Sequence, residues 1–128
     1  MARSAQDPRL PIDLLPRLRR SSSTELKQLV QDYGRFFGLR EVRELLLNPF
    51  ADGETLQELA AVRRLLSMRP VQAAVARHCR TPEPVAMRLV PHLFWRELLE
   101  VTVDVRIRSS VRRVAERYLI ERLPSLAV

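Results

Sequence analysis

Residues 78 and 79 are His-Cys, and the second histidine of the chain stands at position 92. A histidine can serve as the base for a cysteine nucleophile, and both can ligate a metal. Neighbours on a helix project about 100° apart, which works against a hydrogen-bonded nucleophile–base pair. A metal site would need His92 from the next helix and a fourth ligand, and no Cys-x-x-Cys spacing occurs. The reading is a small buried Cys79 beside a half-exposed His78. Glu97, Glu100 and Asp104 fall at i, i+3 and i+7 and could share a helix face, as paired carboxylates do in acid–base catalysis. Arg96, Arg106 and Arg108 lie close by, so a solvated salt-bridge face is expected instead. Ser21–Ser23 reads as a capping loop. Glycine occurs only at 34, 38 and 53, which excludes a P-loop and a dinucleotide fingerprint, and there is no Gly-x-Ser-x-Gly. No catalytic residue, cofactor or metal is expected, and the chain is not expected to be an enzyme.

The elements that carry these residues are read from composition and period. The chain of 128 residues is one domain's worth, expected as a single α-helical domain over 1–128. It is 46% hydrophobic but has only seven aromatic residues, so its core must be aliphatic. Leu-rich, Gly-poor composition favours helix. The net charge is +7, with 21 Arg to one Lys, spread along the chain with no run of five like charges. Diffuse basic charge points to a solvated surface and, at most, weak nucleic-acid binding. A single cysteine permits no intramolecular disulfide, the N-terminal residues lack an apolar signal segment, and no stretch approaches 18 apolar residues. The expectation is a cytoplasmic protein without a membrane span.

Helix signals recur along the whole length. Leu10, Leu14, Leu15 and Leu18 keep helical spacing, with Pro16 expected to bend or end that helix. Ser22 or Ser23 can cap the next, with Glu25 in its first turn. Gly34 and Gly38 bracket a break, and Asn48-Pro49 closes the helix that follows. Asp52 can cap a helix over GETLQELAAVRRLLSM, Arg69-Pro70 restarts the chain, and Thr81 is expected to cap a helix with Pro82 in its first turn. Ser109 is expected to cap a last helix that Pro124 ends. This makes about eight short helices.

One segment departs from the pattern. EVTVDVRIR, residues 100–108, alternates apolar and polar residues as a half-buried strand does. An ungapped comparison at an offset of 72 decides against a strand. Residues 25–47 match 97–119 at seven of 23 positions, among them Glu25/Glu97, Asp32/Asp104 and Val42/Val114. Glu97–Asp104 therefore lies over a segment of helical spacing. The helix begun at Trp95 should run to Thr102 or Val103, with Val105 and Ile107 tucked into the core from a loop. The match implies two three-helix units, about 8–48 and 82–122, with a two-helix piece at 52–80 between them.

Thr81-Pro82, Leu89, Leu93, Leu98 and Val111-Arg112-x-x-Ala115 resemble the units of bacterial α-helical repeats similar to HEAT repeats and variant leucine-rich repeats. Those units often open on Asn-Pro-x-Thr-Pro, for which Asn48-Pro49 is a second boundary, while His78-Cys79 stands where Asn-Pro belongs. The resemblance implies an all-α fold of stacked helices, a HEAT-like right-handed solenoid or compact repeat bundle. It also implies a non-catalytic scaffold for macromolecular, above all protein–protein, interaction. The alternative is nucleic-acid binding through an Arg-rich surface. The iron–sulfur centres of some variant leucine-rich repeat proteins do not carry over to a chain with one cysteine. On the helix near Ser109, Val111, Val114, Ala115, Tyr118 and Leu119 form the core face. Arg113, Glu116 and Arg117 form the solvent face, with Ile120 among them. Ile120, Arg112, Arg113, Arg117 and Trp95 are the candidate partner contacts; the ordinary readings are that Ile120 meets Leu123 or Leu126 in a tail folded back past Pro124, and that Trp95 plugs the core.

Overall fold

The computed structural model describes residues 8–126. Among them every regular element is a helix and no strand forms. The helices are α1 (Leu14–Arg20), α2 (Ser23–Tyr33), α3 (Leu39–Leu46), α4 (Gly53–Ala60), α5 (Arg63–Leu66), α6 (Arg69–Ala76), α7 (Glu83–Leu89), α8 (Trp95–Val103) and α9 (Ser109–Leu126). Single 3-10 turns at Gly34–Phe36 and Val90–His92 precede α3 and α8. The chain divides into two compact units, Met1–Leu66 and Ser67–Val128.

Caps fix the helix starts. The Ser22 hydroxyl accepts the Glu25 N–H, while the Glu25 carboxylate accepts the Ser22 N–H at 3.2 Å. Asp52 caps α4 by accepting the Thr55 N–H at 2.9 Å. At α3 and α8 only the returning glutamate is present: Glu41 accepts from Gly38 N–H at 2.6 Å and Glu97 from Phe94 N–H at 2.8 Å. In each case an otherwise orphaned N–H is satisfied.

In the first unit, Lys27 meets Glu54 at 2.9 Å and Gln31 donates to Glu58 at 3.3 Å. Each step advances four residues on both helices, so α2 and α4 run parallel. Arg19 and Glu44 tie α1 to α3 at 3.1 Å. In the second unit Arg69 on α6 and Arg77 just after it reach Glu97 and Glu100 on α8, at 3.3 and 2.6 Å. The Ser110 hydroxyl donates to Glu83, joining the starts of α7 and α9. Such exposed pairs set orientation more than stability. The stability comes from the aliphatic cores, Leu14, Leu18, Leu26, Leu45, Leu56 and Leu59 in the first unit and Leu93, Leu98, Val101 and Ala115 in the second.

Three joints share one hydrogen-bond pattern. The N–H groups of Asn48, His78 and Asp104 donate to the carbonyls of Leu45, Val75 and Val101. Their own carbonyls accept from Ala51, Thr81 and Ile107, all buried. Their side chains, through Asn48 Oδ1, His78 Nδ1 and Asp104 Oδ1, accept the N–H two residues on, from Phe50, Arg80 and Arg106 at 2.7, 3.1 and 3.0 Å. A helix begins five residues after each. These are Asx-type turns, in which a short side-chain acceptor replaces a backbone one. The imidazole of His78 makes the same turn that asparagine makes at position 48. The joints lie 30 and 26 residues apart, an interval different from the offset of 72 in the sequence match. At that offset Glu25 and Glu97 do share a capping role, but Asp32 lies inside α2 and Asp104 lies in a joint.

Several local expectations are corrected. Pro16 lies inside α1, at its third residue, where a missing N–H costs no helical bond. The segment GETLQELAAVRRLLSM forms two helices, because the chain turns at Ala61–Val62 and brings Val62 against buried Gly34. A Cβ on Gly34 would stand 3.3 Å from both Val30 Cγ1 and Val62 Cγ2, so a larger residue there would push α2 from the turn. Thr81 does not cap α7. The joint turns it inward, and its hydroxyl donates to the Val75 carbonyl at 2.5 Å. Pro124 does not end α9, which continues to Leu126; the proline φ is compatible with helix and only one bond near the terminus is lost. Ile107 is buried as expected, but Val105 is 80% exposed, since the Asp104 turn points the residue after it outward.

The Asp104 turn carries a pH prediction. Hydrogen bonds from the Arg106 guanidinium, then from the Arg106 N–H, hold the Asp104 pKa at about 2, below the ordinary 3.8. A depressed folded-state pKa contributes stability that is complete above the ordinary value and lost as pH falls through the depressed one. The contribution of the pair to the closed joint is therefore expected to be complete at neutral and mildly acid pH, to weaken as pH falls below the ordinary 3.8 and to be lost towards about 2. Carbon-detected NMR titration of the Asp104 carboxyl should give a midpoint near that value. A midpoint close to 4 would show that the Arg106 pair does not form in solution.

Candidate partner-binding surface

Helix α8 has two apolar sides. Leu98 and Val101 are fully buried, and at about 100° per residue they define the core direction. Trp95, Leu99 and Val103 follow one another at four-residue intervals, and so drift by only about 40° per step along a separate stripe. They are 39, 44 and 68% exposed. Phe94, just before the helix, is exposed as well. Isolated surface hydrophobes are ordinary, but a stripe along three consecutive turns is not.

Charged groups hold this helix from one side. The Arg69 guanidinium lies 3.4 Å from the Phe94 ring centroid, donates to the His92 carbonyl at 2.6 Å and pairs with Glu97. Arg96 stands 5.4 Å from the Trp95 ring centroid. Glu97, Glu100 and Asp104, weighed above as catalytic carboxylates, each face a different arginine: Arg69, Arg77 and Arg106. Two of these three arginines stand at the start of α6 and just past its end, which the spacing along α8 could not reveal.

The other singled-out residues fall as follows. Trp95 does not plug the core but opens the exposed stripe. On α9, Arg113, Arg117 and Ile120 are exposed, with Arg117 5.8 Å from the Tyr118 ring centroid. Arg112 is turned back, its Nε donating to the Ile107 carbonyl at 3.0 Å, where it closes the Asp104 joint. Among the described residues the chain does not fold back past Pro124 towards Ile120, since α9 continues to Leu126. His78 serves its turn, Cys79 is exposed rather than buried, and His92 sits exposed on the 3-10 turn. Among the described residues no three His, Cys, Asp or Glu side chains gather as a metal-ligand set. No helix among them is long and apolar enough to cross a membrane.

Leu99, Val103 and Phe94 escaped the sequence reading. For Leu99 and Val103 the signal was the i, i+4, i+8 spacing from Trp95, which the alternation of EVTVDVRIR masked. No protein-family model matches the chain, and no curated protein and no solved structure matches it either.

Proposed function

We propose that the chain is a helical-repeat scaffold of HEAT-like character that binds another protein along α8 and performs no catalysis of its own. The observation that supports this reading is the stripe of Trp95, Leu99 and Val103, left in water on a helix whose core side is already filled. Trp95 supplies the aromatic anchor such surfaces favour, and Arg96 a cationic rim. The shared turn at Asn48, His78 and Asp104 supports the repeat reading. The cytoplasm, where an exposed single thiol such as Cys79 stays reduced, is the compartment proposed.

Leu99→Glu tests the stripe. An exposed position predicts a stability change within about 0.5 kcal/mol. A protein partner captured by the wild-type chain should bind at least about tenfold more weakly to the variant, the loss expected when one interface anchor worth more than 1 kcal/mol is removed. The only tryptophan, Trp95, should shift its emission to the blue on binding. Undiminished capture by Leu99→Glu would refute the assignment of this face. The alternative, nucleic-acid binding through the arginines, predicts affinity that falls steeply with salt.

A further inference from the structure

The exposed sector of α8 is self-complementary. With Trp95 at 0° and about 100° per residue, Leu99 falls at about 40° and Val103 at about 80°, and Arg96 and Glu100 follow at about 100° and 140°. All five are exposed. Buried Leu98 and Val101 lie opposite, at about 300° and 240°. The apolar stripe is thus bordered on one flank by a cation and, one turn later, by an anion. Both keep binding capacity. Among the described residues Arg96 pairs with no carboxylate and meets only the Trp95 ring. Glu100 accepts from Arg77 through Oε1, which leaves Oε2 to accept a second donor.

We propose that α8 is the interface of a two-fold dimer, in which the stripe packs antiparallel against the same stripe of a second copy of this chain. This rests on the reading of α8 as a protein-binding face and names its partner. With the axis at Leu99, positions equally far before and after it face each other. Trp95 then meets Val103 of the second copy, a large ring against a small side chain, at both ends of the contact. Such an axis also keeps each flank of the helix on its own side. Arg96 therefore comes beside Glu100 of the second copy, two positions or about 3 Å apart along the helix direction, and symmetry makes this ion pair twice. A parallel pairing would set Trp95 against Trp95 and carry the two charged flanks to opposite sides, so that neither ion pair forms. The nine residues of α8 span about 14 Å, which makes the contact a small one and the dimer of micromolar strength.

Sedimentation equilibrium of the full chain from about 1 to 500 μM tests the proposal. A reversible monomer–dimer equilibrium is expected, with the Trp95 emission moving to the blue as dimer forms. Arg96→Glu and Glu100→Arg each set like charges together twice and should each weaken dimerisation by about tenfold or more. Both positions are exposed, so the melting temperature of the monomer should stay unchanged. An equimolar mixture of the two variants should dimerise as the wild type does, because a mixed pair sets opposite charges together again at both contacts. A chain that stays monomeric throughout this range would overturn the second copy as the occupant of α8, while the capture test with Leu99→Glu judges the face itself. Dimers that Arg96→Glu does not weaken, or variants that fail to recover on mixing, would overturn the antiparallel pairing and the proposal with it.

Discussion

Phe37→Ala is expected to lower the stability of the protein by about 3–5 kcal/mol, the range for truncating a buried phenylalanine. Phe37 is the largest of the fully buried side chains. It lies between the 3-10 turn at Gly34–Phe36 and α3, and its N–H donates to the Gly34 carbonyl at 3.1 Å. Its carbonyl accepts from Arg64, so the backbone around it is held while the ring is removed. A site that cannot collapse retains its cavity, which places the loss toward the upper end of the range. Phe37→Leu keeps most of the volume and should cost less than about 1.5 kcal/mol. Urea unfolding followed by far-ultraviolet circular dichroism measures both. A loss below about 1 kcal/mol for the alanine variant would mean that the ring is not enclosed in solution.

Asn48→Ala is expected to cost about 3 kcal/mol, roughly 1 kcal/mol for each of three hydrogen bonds that the rest of the structure cannot replace. Asn48 is only 2% exposed. Its Nδ2 donates to the carbonyls of Leu18 and Ser21, both at 2.9 Å, and its Oδ1 accepts the Phe50 N–H at 2.7 Å. One side chain thus joins the end of α1 to the turn before α4. Asn48→Asp should be at least as damaging, because a carboxylate has no proton for two facing carbonyls and would be buried as a charge. Asn48→His should be milder, since His78 makes the same turn at the next joint, although an imidazole with Nδ1 accepting cannot serve both carbonyls. A loss below about 0.5 kcal/mol for Asn48→Ala would show that water takes over these bonds and that the joint is not the tie it resembles.

The helices themselves were legible in the sequence wherever a local signal sufficed. Ser22 with Glu25, Asp52 before Gly53 and Arg69-Pro70 each place a helix start through groups within four residues of it, and each start lies where the sequence puts it. The same holds for α8. The offset match over Glu97–Asp104 outweighed the alternation of EVTVDVRIR, and the segment is helix to Val103. Alternation misled at Val103, which the helix sets on its exposed stripe, and at Val105, because a turn closed by the Asp104 side chain sets the next residue outward whatever its period.

By itself the sequence determined that the described chain is all helical, that its core is aliphatic, and where most helices begin. Those properties depend on propensity, capping and apolar period, which act over one or two turns. Only the tertiary structure decided which arginine answers which carboxylate. It also decided that Thr81 turns inward and that Trp95, Leu99 and Val103 stay in water. The reason is separation along the chain. Arg69 and Glu97, or Arg35 and Arg64, are brought together by helices packing more than 20 residues apart, and no local pattern encodes which exposed faces that packing leaves uncovered.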